Sequence, residues 1–343
     1  MALRVLQLGA GSMGSRRLRD LGARKDVETA LYDGRADRLE RARTRFAVPV
    51  FADLEAALAW KPDALSISTP PDAHEAYVRL ALERGLHHFS EANLWTPGWR
   101  EVEETARRKG LVATASGSLI HLPAVAALRR VVARELGRLF LYQMCLSTWE
   151  PGWHPGEGAE FYARNRPTSA GREMVPFELS WLDWAFCAPA AVSGTVTRRG
   201  ILAGHLEDTW CMQAVLKDGA TAHLAVTMGC PETWRRGWAV GEKGAVEFDI
   251  MAGTIVLHRD GEKGGAGERL ECGRIGDVLE ETYAREIGLF VDACSGRPGL
   301  LHSYAESAVA TGTLAALERS AVSGRLEEVD PDRQPAPTPD GYA

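Results

Sequence analysis

Apolar residues in the first third of the chain come in short bursts separated by helical spacing. Strand-like runs at 3–8, 27–33, 48–51, 64–68, 87–90 and 111–116 alternate with helical patterns over 15–24, 35–45, 53–59, 73–84 and 98–109. Strands spaced by helices join through right-handed crossovers into a mainly parallel sheet. After about residue 120 the rhythm changes. A helix over 124–136 leads into a mixed β-prone run, 139–149, then a Gly/Pro-rich loop, 151–158, and a helix over 173–187. Between Ala191 and Val256 strand patterns follow one another without helices, among them 208–216, 221–228 and 245–249. That succession predicts an antiparallel sheet. Two helices, about 278–295 and 303–322, come last, and the Pro/Asp-rich residues 330–343 read as disordered. The pattern therefore predicts an α/β domain over 1–120 and an α+β domain over 121–329 with a large, mostly antiparallel open sheet.

The first strand ends in Gly9-Ala10-Gly11-Ser12-Met13-Gly14, a GxGxxG turn that opens the first helix, and Asp33 closes the second strand. Strand, glycine turn, helix, strand and terminal acid in this order predict a Rossmann domain. Gly9 permits a tight turn, Gly11 a close approach of backbone to pyrophosphate, and Gly14 close packing of helix on strand. The helix start at Ser12 and Met13 offers free N–H groups to phosphate. Asp33 is placed to accept hydrogen bonds from the ribose hydroxyls of NAD; Arg35, two residues on, leaves NADP open. Thr69, Pro70, His74, Glu91 and Asn93 fall at the carboxyl ends of later strands or just beyond, on the same predicted edge.

Composition narrows the class only a little. The chain has 343 residues, enough for two cores, with 25% charged and 45% hydrophobic residues and a net charge of −6. The negative balance argues against nucleic acid or an anionic membrane as partner. No basic-then-apolar leader and no apolar run of membrane length are evident, which reads as cytoplasmic. Cys145, Cys187, Cys211, Cys230, Cys272 and Cys294 lie far apart without CxxC spacing and read as reduced. His87-His88 lack a third ligand at metal spacing, so no metal is expected.

A Rossmann half followed by an antiparallel sheet resembles the glucose–fructose oxidoreductase/inositol dehydrogenase (Gfo/Idh/MocA) family. Thr69-Pro70-Pro71-Asp72-Ala73-His74 is similar to its TPxxxH segment, and Gly241-Glu-Lys-Gly-Ala-Val-Glu-Phe248 to its glycine hairpin. Ile287 to Ala293, followed by Gly296-Arg297-Pro298, resembles its penultimate helix. The resemblance implies NAD(P)-dependent hydride transfer on a small polar molecule and a homodimer or homotetramer built on open sheets. It departs at the chemistry. The family's Glu-Lys-Pro reads Glu91-Ala92-Asn93 here, so alanine stands at the lysine position. Its Asp-x-Gly-x-His helix reads Pro176-Phe-Glu178-Leu-Ser180, and its Asn-x-Arg-Phe reads Ser118-Leu-Ile-His121.

A replacement catalytic set is sought in the second half. The segment from Trp149 through His154 and Tyr162 to Arg166 interleaves aromatics with His, Glu and Arg. It reads either as a substrate wall or as a surface loop with aromatic anchors. Arg172 and Glu178 enter the helix that matches the family's catalytic helix. Arg172 is expected to reach substrate and Glu178 to serve as acid or base; an acid in a first turn, with Pro176 beside it, also simply answers the helix dipole. His121 reads as a nicotinamide neighbour or a structural hydrogen-bonder. Arg16-Arg17 and Arg235-Arg236 read as solvated faces. The resulting expectation is an NAD(H)-dependent oxidoreductase of sugars, cyclitols or specialised-metabolite intermediates. An imine or C=C reductase is the runner-up, since an iminium already carries its proton, and a silent cofactor-binding scaffold is the third reading.

Overall fold

The structure is a computed structural model that describes residues 2–96, 98–153, 161–202, 206–260 and 267–335. The chain divides into two compact units, one of Met1–Ser118 with Glu280–Ser307, the other of Leu119–Leu279 with the chain from Ala308 on.

In the first unit each apolar burst forms a strand and each helical pattern a crossover. The elements run β1 Leu3–Leu8, α1 Ser12–Gly22, β2 Val27–Tyr32, α2 Ala36–Phe46, β3 Val50–Phe51, α3 Leu54–Ala59, β4 Ala64–Ile67, α4 Pro71–Arg84, β5 His87–Ser90, α5 Trp99–Lys109 and β6 Ala113–Ala115. The six strands pair in parallel in the order β3-β2-β1-β4-β5-β6. This is the doubly wound order, whose crevice opens where the chain leaves β1 on one side and β4 on the other. Side chains alternate across the sheet. Leu6, Leu8, Leu65 and Ile67 bury into one face with Val78 and Ala81, whereas Val5, Ala64 and Phe89 bury into the other with Ile287, Phe290 and Val291. The last three belong to α8, Ile275–Cys294. The expected continuous 121–329 domain is thus interrupted: 280–307 returns to the parallel unit, because its sheet needs an apolar cover on both faces.

The second unit is built on a nine-stranded sheet. To α6 Pro123–Glu135 and β7 Leu139–Trp149 it adds α7 Ala170–Ala185, β8 Pro189–Thr197, β9 Thr209–Leu216, β10 Thr221–Thr227, β11 Gly229–Gly241, β12 Gly244–Asp249, β13 Thr254–Arg259, β14 Glu268–Glu271, most of α9 Tyr304–Ser323, and β15 Glu327–Glu328. The order is β14-β13-β12-β11-β7-β10-β9-β8-β15. Pairing is antiparallel except between β7 and β10. Tyr142, Met144 and Leu146 of β7 and Trp210, Met212 and Ala214 of β9 point into the core; α6 and α7 pack against this sheet. Helix α7 begins three residues before the pattern predicts. Gly171 lets it start against Trp210, where a Cβ would come within 2.9 Å of the indole. Pro176 consequently sits inside the helix rather than in its first turn. Residues 336–343 of the expected disordered tail lie outside the described residues. Among those described, no helix is long and apolar enough to cross a membrane.

Candidate cofactor and active site

The turn from β1 into α1 is as tight as its glycines predict. Gly9 takes φ +90°, and a Cβ there would stand 2.5 Å from the Ser68 carbonyl oxygen. A Cβ on Gly14 would stand 2.0 Å from the Gly9 carbonyl oxygen. Gly11 caps α1, and no side chain caps the helix start, so the first-turn N–H groups face outward for an anion. Beneath the turn, the Gln7 side-chain amide donates to the carbonyls of Leu8 (3.1 Å) and Gly9 (3.0 Å). Gln7 is a functional support that the sequence reading missed; a fully buried polar residue inside an apolar strand is its signal. Ser12 receives Arg16 Nη1 on its hydroxyl at 2.6 Å, and the Met13 sulfur lies 4.0 Å from the same nitrogen.

Asp33 is buried and holds the turn directly. Its Oδ2 accepts the Ala10 N–H at 2.7 Å and its Oδ1 the Arg35 N–H at 2.8 Å. Each carboxylate oxygen keeps a second lone pair for a ribose hydroxyl. Arg38, rather than Arg35, lends the acid a cation, with Nη1 3.8 Å from Oδ2. Arg35 instead pairs with Asp37.

Beyond β4, Pro70 caps α4 and Pro71 fills its first position. His74 is buried, its ring 2.9 Å from the Thr69 carbonyl and 2.9 Å from the Asn93 amide. Nε2 faces the Thr69 carbonyl oxygen and Nδ1 faces Asn93 Oδ1, and burial pushes the ring's pKa down. Asn93 continues to Ser90, which also receives the Tyr304 hydroxyl at 3.1 Å. This chain of side chains ties the turns after β4 and β5 together. The buried Thr69 hydroxyl has no protein partner among the described residues.

Glu91 is not a free acid. Arg17 donates to both its oxygens, at 2.7 and 3.1 Å, and the Ser68 hydroxyl adds a third bond at 3.2 Å. The same guanidinium reaches Glu286 at 2.6 Å and the Tyr283 carbonyl at 3.0 Å. It also packs 4.7 Å from the Phe89 ring centre. Arg17 is fully buried, which corrects its reading as a solvated face. It shares a helical stripe with Gly14, Leu18 and Leu21, the face that α1 turns to the sheet. Only Arg16 lies outward, with Glu280.

In the second unit, Arg172 and Glu178 are both fully buried in ion pairs. Arg172 grips Glu318 with two bonds, 2.7 and 2.9 Å, and Arg166 joins Glu318 to Glu207. Glu178 receives Arg235 Nε on one oxygen and Trp181 Nε1 on the other, each at 2.7 Å. These partners correct two readings. Neither Arg172 nor Glu178 reaches solvent, because α7 is buried on nearly every side, and Arg235 points inward to meet Glu178 while Arg236 lies outward beside Asp249. Tyr162 lies in the short turn Tyr162–Arg164, its ring 4.7 Å from Phe161, and His121 ends the turn Ser118–His121; both are half-buried. His154 lies outside the described residues. Among the described residues, no three His, Cys, Asp or Glu side chains gather to hold a metal ion, and all six cysteines are free thiols.

The glycine cradle, the uncapped start of α1, the Asp33 lone pairs and the orphaned Thr69 hydroxyl fit a dinucleotide lying across the carboxyl edge of the sheet. Fold and site together define a two-unit, NAD-dependent oxidoreductase. Two family models give the particular lineage: the oxidoreductase family with NAD-binding Rossmann fold matches residues 3–116, and the GFO/IDH/MocA C-terminal domain matches residues 125–247. The chain belongs to the Gfo/Idh/MocA oxidoreductase family.

Solved structures agree with that fold. GenD2 from gentamicin A biosynthesis, in complex with NAD, is 22% identical, with 96% of this chain and 97% of that one covered and a TM-score of 0.79. Levoglucosan dehydrogenase, in complex with NADH and levoglucosan, is 15% identical, with 96% and 100% covered and a TM-score of 0.83. A putative myo-inositol dehydrogenase from Sinorhizobium meliloti 1021 is 18% identical, with 96% and 100% covered and a TM-score of 0.77. At these identities the likeness carries the fold alone. No curated protein sequence matches the chain.

Proposed function

We propose that the enzyme transfers hydride between NAD(H) and a small polar molecule, a sugar, cyclitol or specialised-metabolite intermediate, with a catalytic set of its own. The observation that carries this reading is a cofactor cradle complete at Gly9, Gly14 and Asp33 beside a β5 turn whose second residue is Ala92. The backbone from Gly11 to Gly14 would hold the pyrophosphate, Asp33 the adenosine ribose, and Thr69 and the 91–93 turn the nicotinamide half. When bound, NAD supplies the carbon that gives or takes the hydride. The proton that accompanies it needs an accessible group. With Arg172 and Glu178 committed to ion pairs, that part passes to the half-buried Tyr162 and His121; His154, the third candidate, lies outside the described residues. The substrate class draws support from the relatives described with gentamicin A biosynthesis, levoglucosan and myo-inositol.

Ala92 favours a second reading. Where the family resemblance has lysine, this chain offers no cation to an alcohol, and reduction of an imine or C=C bond needs none there. A panel of sugars and cyclitols with NAD+, and of cyclic imines and enones with NADH, followed in the absorbance of reduced nicotinamide, separates the two. Turnover of a polyol with NAD+ supports the first, and turnover only of unsaturated acceptors supports the second. Cofactor binding without turnover of any class leaves the scaffold reading.

The outward face of the nine-stranded sheet supports a homo-oligomer. Gln213, His223, Gln143, Trp238 and Glu247 form one cross-strand row, and Trp234 stands two rows along the same face, beyond Arg236. Trp238 and Trp234 are 37% and 39% exposed. Sedimentation is expected to give a dimer or tetramer, and Trp238→Glu to shift it toward monomer; a monomeric wild type would overturn the assignment.

A further inference from the structure

Arg17 leaves α1 on the buried face that also carries Gly14, and its guanidinium ends at the turns that follow β4, β5 and β6. Those turns form the half of the sheet edge where the nicotinamide nucleotide belongs in a doubly wound fold. The planar fork meets Glu91 with two prongs, Nε at 2.7 Å from Oε1 and Nη2 at 3.1 Å from Oε2. Glu91 Oε1 also accepts the Ser68 hydroxyl at 3.2 Å, which joins the turn after β4 to the turn after β5. Nη2 donates a second time, to Glu286 Oε2 at 2.6 Å. Glu286 accepts the Gly117 N–H at 2.8 Å and the Ser116 and Ser118 hydroxyls at 3.0 and 2.7 Å, which brings in the turn after β6. Nη1 donates to the Tyr283 carbonyl at 3.0 Å, and the Phe89 ring packs against the guanidinium. One side chain of the phosphate helix thus ties three turns together. A buried pair of this kind adds little to stability over apolar packing of like volume; what the fork supplies is direction. The glycine turn has separate supports, the Gln7 amide beneath it and Asp33 on the Ala10 N–H.

We propose that Arg17 is a positioning residue for the nicotinamide half of the cofactor: through the Glu91 carboxyl it sets the 91–93 turn, while pyrophosphate and adenosine are held without it. The inference rests on the reading of the first unit as the cofactor domain. Arg17 itself touches no nucleotide, since its side chain is fully enclosed; it acts through Glu91, whose side chain is 14% exposed. Two carboxyl oxygens gripped by one rigid fork cannot rotate, so the backbone at residue 91 and the peptides of Ala92 and Asn93 that follow keep one course. Asn93 is held at its own end by His74 and Ser90. The two halves of the cofactor cradle therefore answer to different side chains, and a change at Arg17 is felt by one half.

The test compares two ligands by calorimetric titration of the whole chain: NADH, and ADP-ribose, which has the pyrophosphate and the adenosine but no nicotinamide ring. The wild type is expected to bind NADH more tightly. Arg17→Lys keeps a cation but loses the two-pronged fork. It is expected to weaken NADH about tenfold, the worth of one net hydrogen bond, and to leave ADP-ribose within about twofold. Glu91→Gln sets an NH2 group against a donor of the fork and is expected to move the ratio of the two affinities the same way; it decides the question if Arg17→Lys does not fold. Equal weakening of both ligands in a folded variant would assign Arg17 to the fold alone and overturn the proposal. An unchanged ratio overturns it too, as does a wild type that binds the two ligands alike. A wild type that binds neither would instead sink the assignment of the cofactor domain.

Discussion

Gly14→Ala is expected to abolish NADH binding, weakening it by about 100-fold or more, while the chain still folds. The added methyl would stand 2.0 Å from the Gly9 carbonyl oxygen and 2.8 Å from the Gly9 carbonyl carbon. Both are backbone atoms, so no rotamer relieves the contact. Either α1 backs away from β1 or the turn shifts outward, and overpacking of this kind typically costs about 1–3 kcal/mol. Affinity suffers more than stability. The phosphates are to be met by backbone N–H groups whose positions depend on the same turn, and Asp33 registers that turn through the Ala10 N–H. Gly22→Ala is the matched control. It lies at the other end of α1 with nothing within 4 Å of its Cβ, and alanine there is expected to be neutral or to stabilise by about 0.5–1 kcal/mol. Fluorescence titration with NADH, beside far-ultraviolet dichroism and melting of each variant, makes the comparison. Binding by Gly14→Ala within about threefold of wild type would show that the cofactor does not use this turn.

The same contrast between local and distant determinants explains what could be read along the chain. Periodicity placed β1, the glycine turn and Asp33 correctly because each depends on neighbours a few residues away. The nine-stranded sheet was visible as strands without helices, although β11, its longest strand, escaped notice: Pro231 and three glycines break its alternation, and its pairing with β7 shifts between Gly229 and Trp234. Charges deceived for a physical reason. Arg17 and Arg235 carry a formal charge that ordinarily belongs in water, and each is buried by a carboxylate remote in sequence, Glu286 and Glu178. A helical stripe shared with Gly14, Leu18 and Leu21 marked Arg17 in retrospect. No local pattern marks Glu286, since α8 must first return to the parallel sheet. Glu178 and Arg172 looked reactive because an acid and a base at a helix start suit catalysis and ion pairing equally well; their surroundings on α7 decide between the two.

Glu178→Ala is expected to cost about 3–5 kcal/mol of stability, the range for removing one partner of a buried ion pair. The carboxylate is fully enclosed and joins α7 to β11. It anchors Arg235 of β11, which otherwise has the Met251 sulfur at 3.7 Å, and it accepts the indole N–H of Trp181, itself fully buried. Deleting it strands a guanidinium and an N–H group in a site that water reaches poorly, and an uncompensated buried charge is the costlier of the two. The double substitution Glu178→Leu with Arg235→Met is expected to recover most of the loss, because the charge and its counterion leave together. Urea unfolding of the two single variants and the double then gives the coupling between the residues directly. Glu178→Gln distinguishes a holding part from a catalytic one. It keeps an acceptor for Trp181 and the shape of the site but drops the charge that Arg235 requires. An acid or base lost from the reaction lowers turnover about 10²–10⁴-fold with little change in melting. A lost buried counterion lowers melting first, with turnover of the still-folded fraction nearly intact. The enclosure of Glu178 by Arg235 and Trp181 predicts the second outcome, and a stable, inactive Glu178→Gln enzyme would restore this carboxylate to the chemistry.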